Sequence, residues 1–345
     1  MRENEERSGK MENMKMCFEC GAKEQYEFKD TIRKYEGEGY HFEMSVKVPF
    51  CKICQAPIYM EAVENEIAKM ANQRIREQRE IITREEILEI LELYNVSQKF
   101  LSRLLGWGEI TLTRYVSGNY TPNVSNSNRL KELKNPYIFQ MLLQDYCAGN
   151  PERAGEKSFK KAESKVSSEL AKLENSKGKI FHVVNWFLAQ STDEVPITHL
   201  ELQKLLYFVQ NWSRVLLGQE MFEEDCQAWV HGAVYPQVYS TFKSFKYMPL
   251  PKVEVESKFK EEELKILNAV KLYYLDVYCA KALEEICHRE EPYKKAREGC
   301  RKNDVCQRVI NKNDVLSYYT HIVQKYRISL ENLLNIREYL NIILR

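Results

Sequence analysis

Four cysteines, in the stretches MKMCFECGAK and VPFCKICQAP, stand in two pairs, Cys17 with Cys20 and Cys51 with Cys54. A C-x-x-C turn delivers two thiolates at a bite suited to zinc, and two such turns supply the four sulfurs of a tetrahedron. A site closed by four protein ligands leaves no position for water, so it builds structure rather than activating a nucleophile. The spacing predicts one structural Zn2+ per chain, held by Cys17, Cys20, Cys51 and Cys54. The competing reading, a redox-active C-x-x-C, wants a single pair in a βαβ setting, and the second pair argues against it. His41 falls close to these cysteines and reads as a surface residue on a strand.

The remaining residues offer little chemistry. No P-loop, nucleotide-binding glycine, H-E-x-x-H or G-x-S-x-G pattern occurs. Cys279, Cys287, His288, Cys300 and Cys306 lack paired knuckles, and cysteines in helices commonly serve as small buried apolar residues. His231 precedes Gly232 with no partnered nucleophile or carboxylate beside it in the sequence, so a structural histidine is the default and the chain reads as a non-enzyme. Lys and Arg number 51 against 50 Asp and Glu, which removes any global field toward nucleic acid or membrane and makes any basic surface local. The charged start MRENEERSGKMENMK has no apolar core of signal-peptide length, and no later window holds the roughly 18 apolar residues of a membrane span. The expectation is a cytoplasmic protein with its other thiols reduced.

Ahead of Cys51, the residues Tyr40, Phe42, Met44, Val46 and Val48 alternate with polar neighbours, as a half-buried strand of a small sheet does. Residues 12–62 resemble the zinc-ribbon half of the MqsA/YgiT-type antitoxins, on CFECG, the Tyr/Gly-rich hairpin and VPFCKICQAPIY. The stretch departs from that pattern at Gln55, where glycine usually follows the last cysteine, a change that bears on turn geometry. Residues 63–82 read as a connecting helix whose apolar residues are too sparse to fill a core face.

A helical unit, 83–148, opens with Thr83 and Glu86 spaced as a capping box, followed by Ile87, Leu88, Ile90, Leu91 and Leu93 on one side. VSQKFLSRLLGWGEITLTRYVSGNYTP then predicts a short helix capped by Ser97, a break at Gly106-Trp107-Gly108, and a second helix ending before Gly118. That is the outline of a helix-turn-helix. From Ser97 to Lys134 six basic residues stand against two acidic ones, a local charge of +4. With Leu112 and Tyr115 inward, Glu109, Thr111, Thr113 and Arg114 face outward, and Gln98 suits a backbone contact. Arg114 can fork onto a guanine edge, and the threonines can reach phosphate or a thymine methyl. The bland alternative is a helical hairpin used only for packing. This stretch resembles the MqsA-type antitoxins and other Xre-like domains, departing at Ile110, where a polar residue is expected. The resemblance implies base contact by Arg114, homodimerisation and a palindromic double-stranded operator.

Residues 149–178 are rich in Lys, Glu, Ser and Ala and read as a charged linker. Beyond them, helical apolar periodicity dominates, with Leu202, Leu205, Leu206, Val209 and Trp212 on one face. Residues 179–345 resemble the SocA-like, or Panacea, antitoxin domain, on Leu202-Gln203-Lys204-Leu205-Leu206-Tyr207, Ala228-Trp229, Gly232, Pro236, Tyr239, Pro292-Tyr293 and Ala296-Arg297. Ala233 and Tyr293 depart from the usual proline and tryptophan. The resemblance implies a domain that holds a toxin by direct contact, with Lys204, Tyr207, Trp229, His231 and Tyr239 as expected partner contacts and aromatics such as Trp229 and Tyr207 open between core and anchor. In MqsA-type proteins the ribbon half contacts the toxin, so the two precedents compete.

The resulting expectation is a mainly α multidomain chain: a small N-terminal β-rich zinc ribbon, a helical helix-turn-helix domain and a mostly α-helical C-terminal SocA-like domain. Its expected function is that of a type II antitoxin, which neutralises a protein toxin encoded in the same operon and represses that operon. The alternative is a DNA-binding regulator whose C-terminal domain senses a protein or ligand signal, or a proteolytic adaptor for a toxin.

Overall fold

The computed structural model describes residues 14–37, 40–118, 120–192, 194–254, 258–301 and 303–344. Most of the charged start therefore lies outside the described residues. The elements run β1 (Met14–Met16), β2 (Lys23–Gly37), β3 (Tyr40–Cys51), α1 (Glu61–Gln78), α2 (Arg84–Leu93), α3 (Gln98–Leu104), α4 (Thr111–Val116), α5 (Val124–Glu132), α6 (Pro136–Ala148), α7 (Lys157–Ser176), α8 (Lys179–Gln190) and α9 (His199–Leu216). After them come β4 (Gln227–Trp229), β5 (Gly232–Val234), α10 (Pro236–Phe242), α11 (Glu261–Val270), α12 (Ala280–Arg289), α13 (Glu291–Ala296), α14 (Lys312–Tyr326) and α15 (Ile336–Ile343). The chain is mostly helical, as its periodicity predicts. Among the described residues no helix is long and apolar enough to cross a membrane. Two compact units result, one from the chain up to Ile90 with Glu109–Lys131, the other from Leu91–Gly108 with Glu132 onward.

In the first unit, β2 pairs antiparallel with β1 and, from Tyr26↔Cys51 to Gly37↔Tyr40, with β3. The alternation expected of β3 is present: Phe42, Met44, Val46 and Val48 are buried on one face. Helix α1, expected only to connect, covers that face. Ile67 and Ala71 join the same core, with Val63 and Ile75 packed against it. A two-stranded hairpin presents a narrow face, so one apolar residue per turn suffices to cover it. Arg33 clamps the arrangement with two hydrogen bonds to Glu64, at 2.7 and 2.8 Å. The Thr83–Glu86 capping box forms reciprocally, at 2.9 and 3.1 Å. Ser127 of α5 accepts from the Ile82 N–H at 2.7 Å.

The second unit is built around α9. Every residue from Leu202 to Ser213 is buried, and the helix touches α8, α10, α11, α12, α14 and β5. A helix enclosed on all sides must satisfy its polar groups internally. Gln210 accepts from the Met221 and Phe222 N–H groups, and the Trp212 indole donates to the Tyr274 hydroxyl at 2.9 Å. Tyr207 donates to Glu290, which sits between α12 and α13 and also accepts from Tyr319 and Tyr339, all at 2.7–2.8 Å.

The segment 149–178, expected as a linker, is largely helix α7. Phe159, Ala162, Val166 and Leu170 form a buried stripe, and α7 packs against α6 and α8. Its lysines and serines occupy the outward face, which made the composition look unstructured. The unit also begins before residue 179. The Tyr137 hydroxyl of α6 donates to Asn185 at 2.6 Å, its ring meets Phe242 at 4.7 Å, and Asn135 donates to the Thr241 carbonyl.

Burial pushes the Glu290 carboxyl up to about 7 against the downward pull of its three tyrosine donors. The folded state therefore holds this proton more tightly than the unfolded chain does, at about 4.5. The resulting stability is complete below that value and lost as pH rises toward 7. Wild type should lose up to about 3 kcal/mol from this group between pH 4.5 and 7.5, a loss absent in Glu290→Gln. Parallel pH–melting curves for the two proteins would contradict this account.

Candidate functional site

Cys17 directly follows β1 and Cys51 closes β3, each starting a tight turn of the same construction. The Gly21 N–H donates to the Cys17 carbonyl and the Gln55 N–H to the Cys51 carbonyl, at 2.9 and 3.0 Å. Gly21 has φ 72° and Gln55 φ 60°. The left-handed position that glycine fills in the first turn is thus held by a glutamine in the second. Its amide is tied down by Lys29 and by the Lys52 carbonyl. The sulfur pairs Cys17–Cys54 and Cys20–Cys51 stand 3.5 and 3.9 Å apart, and all four sulfurs lie within 4.8 Å of one another. Four thiolates about 2.3 Å from a tetrahedral ion are about 3.8 Å apart, so the set fits one metal ion. Ile58, with Tyr26, Ala56 and Met60, packs around the buried Cys17 and Cys51.

Helix α3 begins at Ser97, whose hydroxyl accepts from the Phe100 N–H at 3.1 Å. It ends at Leu104, Gly106 turns the chain at φ 70°, and α4 follows after residues 107–110. Both short helices form, with the glycine break between them. Arg114 and Thr113 are exposed on α4, Thr111 is half-buried at its first turn, and Glu109 is exposed just ahead. Gln98 is half-buried on α3. The inward pair of α4 is Leu112 with Val116, not Tyr115. Tyr115 is half-buried, and its hydroxyl accepts from the Asn126 amide at 2.9 Å. The Arg114 guanidinium rests over the Tyr120 ring, 5.1 Å from its centroid, which holds the fork beside the outward face.

In the second unit the expected partner contacts divide. Lys204 and Tyr207 are enclosed and reach no surface, which corrects their expected role as contacts: they hold the site from beneath. The Lys204 ammonium donates to the Ala233 carbonyl at 2.9 Å, and burial holds its pKa below the usual lysine range. Gln203 accepts from the Tyr235 N–H at 2.7 Å, while the Ala233 N–H points at the Cys287 sulfur. The hairpin β4–β5 is thereby pinned to α9 and α12. Gly232, at φ 94°, has no alternative: a Cβ there would meet the Lys204 Cε and Nζ at 2.8 Å.

Above these pins the surface is aromatic. Trp229 and Tyr239 are half-buried, with rings edge-on at 4.8 Å, and Tyr239 lies 5.6 Å from the His199 ring. His231 is 74% exposed at the hairpin turn, its Nδ1 3.7 Å from a Glu284 carboxylate oxygen. The Tyr293 hydroxyl donates to the Trp229 carbonyl at 2.6 Å and the Arg297 guanidinium to the Ala228 carbonyl at 3.0 Å. Glu290, Tyr319 and Tyr339 belong to this construction and were missed by sequence reasoning, whereas Cys287, read as a small buried residue, is one. Only Glu290 left a signal, its position just ahead of Pro292-Tyr293.

The family model described as antitoxin SocA-like, Panacea domain, matches residues 202–294, from α9 through the hairpin to α13. No curated protein and no solved structure matches the chain. The pinned hairpin, its aromatic rim and Glu290 thus fall within the span that is similar to the SocA-like Panacea domain, and α14 and α15 supply Tyr319 and Tyr339 from beyond it.

Proposed function

We propose that the chain is the antitoxin of a type II toxin–antitoxin pair, a cytoplasmic, non-catalytic protein that binds and neutralises a protein toxin encoded in the same operon. The observation that carries this reading is the Panacea match over 202–294 together with the exposed His231 and half-exposed Trp229 on a rigid hairpin, beside the half-exposed Tyr239 of α10. Aromatic side chains on a fixed scaffold make good interface anchors, because little conformational freedom is lost on binding. The polar cleft beside α9, lined by Tyr207, Gln210 and Arg214 among others, holds about 10 Å3, room for one water at most. That cleft leaves no room for a small ligand beside the aromatic hairpin.

The helix-turn-helix is the proposed repressor element, acting as a homodimer on double-stranded operator DNA. Arg114, Thr113, Thr111 and Glu109 meet the duplex from α4, and Gln98 meets it from α3. The exposed Arg114 fork and the Ser97-capped helix α3 support that reading. Zinc is the proposed ion of the four-cysteine cluster. Closed by four thiolates, it serves to hold the two turns together.

Two outcomes are expected. Each purified chain should carry one zinc, and chelation should melt the N-terminal hairpin while leaving the helical circular-dichroism signal of the rest, since a structural zinc contributes on the order of 10 kcal/mol. A metal-free chain indifferent to chelator would remove the zinc site. Arg114→Ala should cost about 1–3 kcal/mol on the operator and leave toxin affinity intact, whereas Trp229→Ala should weaken the toxin complex at least about tenfold and spare DNA. If both variants bind both partners like wild type, these assignments fail.

A further inference from the structure

Helix α7 keeps an unusual outward face. Lys157, Lys161 and Lys165 follow one another at i, i+4 spacing, with Lys160 beside them, and all four are exposed. Like charges four apart destabilise a helix by about 0.2–0.5 kcal/mol per pair, and a face kept merely soluble intersperses both signs. Among the described residues, none of these four ammonium groups is ion-paired. Two of the nearby acidic residues, Glu156 and Glu169, are engaged elsewhere. Glu156 binds Arg103 at 3.0 Å and the Tyr146 hydroxyl at 2.9 Å, and Glu169 binds Lys172 at 2.6 Å. Glu163 is close enough to Cys147 on α6 to add to the upward push that burial gives that thiol.

The lysines do not stand on a convex surface. With Asn95, Gly155 and Ser164 they line an open groove of about 540 Å3. Asn95 sits at φ 51° in the turn just ahead of Ser97, the cap of α3. The groove therefore opens beside the first helix of the helix-turn-helix, within one unit. Its walls are braced: Phe100 of α3 meets the Tyr146 ring edge-on at 5.8 Å, Tyr146 stacks on Phe159 of α7 at 6.5 Å, and Arg103 reaches Glu156.

We propose that this groove binds the phosphate backbone of double-stranded DNA next to α3, without regard to sequence. The proposal rests on the helix-turn-helix reading given above. In such motifs the first helix crosses the backbone, so phosphates next to α3 lie at the mouth of the groove. The row from Lys157 to Lys165 spans about 12 Å, a length over which duplex DNA carries about seven charges. The lysines supply unfixed point charges and Ser164 a hydroxyl donor, a set that contacts phosphate and carries no base code.

The test compares the full-length wild type with a variant carrying Lys157→Gln, Lys160→Gln, Lys161→Gln and Lys165→Gln, titrated by fluorescence anisotropy against the promoter duplex and a scrambled duplex over a salt series. Glutamine matches lysine in helix propensity, so the fold should stand, and the corresponding four-arginine variant controls for it. The glutamine variant should bind both duplexes about 10- to 100-fold more weakly at physiological salt, with a log–log salt slope shallower by about 2 to 4. The arginine variant should retain wild-type affinity. Unchanged affinity and slope in the glutamine variant overturn the proposal while leaving the helix-turn-helix reading intact. A wild type with no affinity for either duplex overturns both. Wild-type DNA binding combined with loss of toxin binding in the glutamine variant assigns the groove to an acidic protein surface and overturns it as well.

Discussion

An ammonium group enclosed by protein must find an oxygen, and the organisation of the C-terminal unit follows from that requirement at Lys204. Burying it without a partner would cost several kcal/mol. The Ala233 carbonyl supplies the partner, and it can do so only because Gly232 leaves room for the lysine stem. The contact fixes the short β4–β5 hairpin to α9 at one point, and Gln203 fixes it at a second. Two short strands are not stable alone. Here the central helix supplies what they lack, and Trp229, His231 and Tyr239 inherit a rigid base. The same demand recurs one turn further on, where Tyr207 joins Tyr319 and Tyr339 around Glu290 and draws α14 and α15 into the core.

The N-terminal unit solves its stability problem differently. A hairpin covered by one helix buries few side chains, and the four sulfurs at its open end are positioned to add an ion as a second fastening. Both turns reach the same geometry from different residues, with Gln55 accepting a left-handed backbone that Gly21 adopts freely. Lys29 and the Lys52 carbonyl hold the glutamine in place.

What could be read from the chain was what is encoded locally. The C-x-x-C spacing, the alternation of β3, the Thr83–Glu86 box and the Ser97 cap each involve residues a few positions apart, and each forms as expected. Misread features depended on neighbours distant in sequence. Helix α1 looked too polar to pack until a narrow hairpin set the size of face it had to cover. Helix α7 looked like a linker because composition hid the Phe159, Ala162, Val166, Leu170 stripe. Lys204 and Tyr207 looked like contacts because a polar residue in a recognisable motif suggests a surface, whereas here the carbonyl and carboxylate that satisfy them come from 29 and 83 residues away.

The central claim is neutralisation of a protein toxin. The most direct measurement is the growth of cells expressing each gene adjacent to this one, alone and together with the full-length chain, beside a Trp229→Ala, Tyr239→Ala variant of it. The account predicts that one neighbour arrests growth, that the full chain restores it, and that the double variant, though folded, restores it poorly. A neighbour whose toxicity the full chain does not relieve, or a neighbourhood with no toxic product, would contradict it.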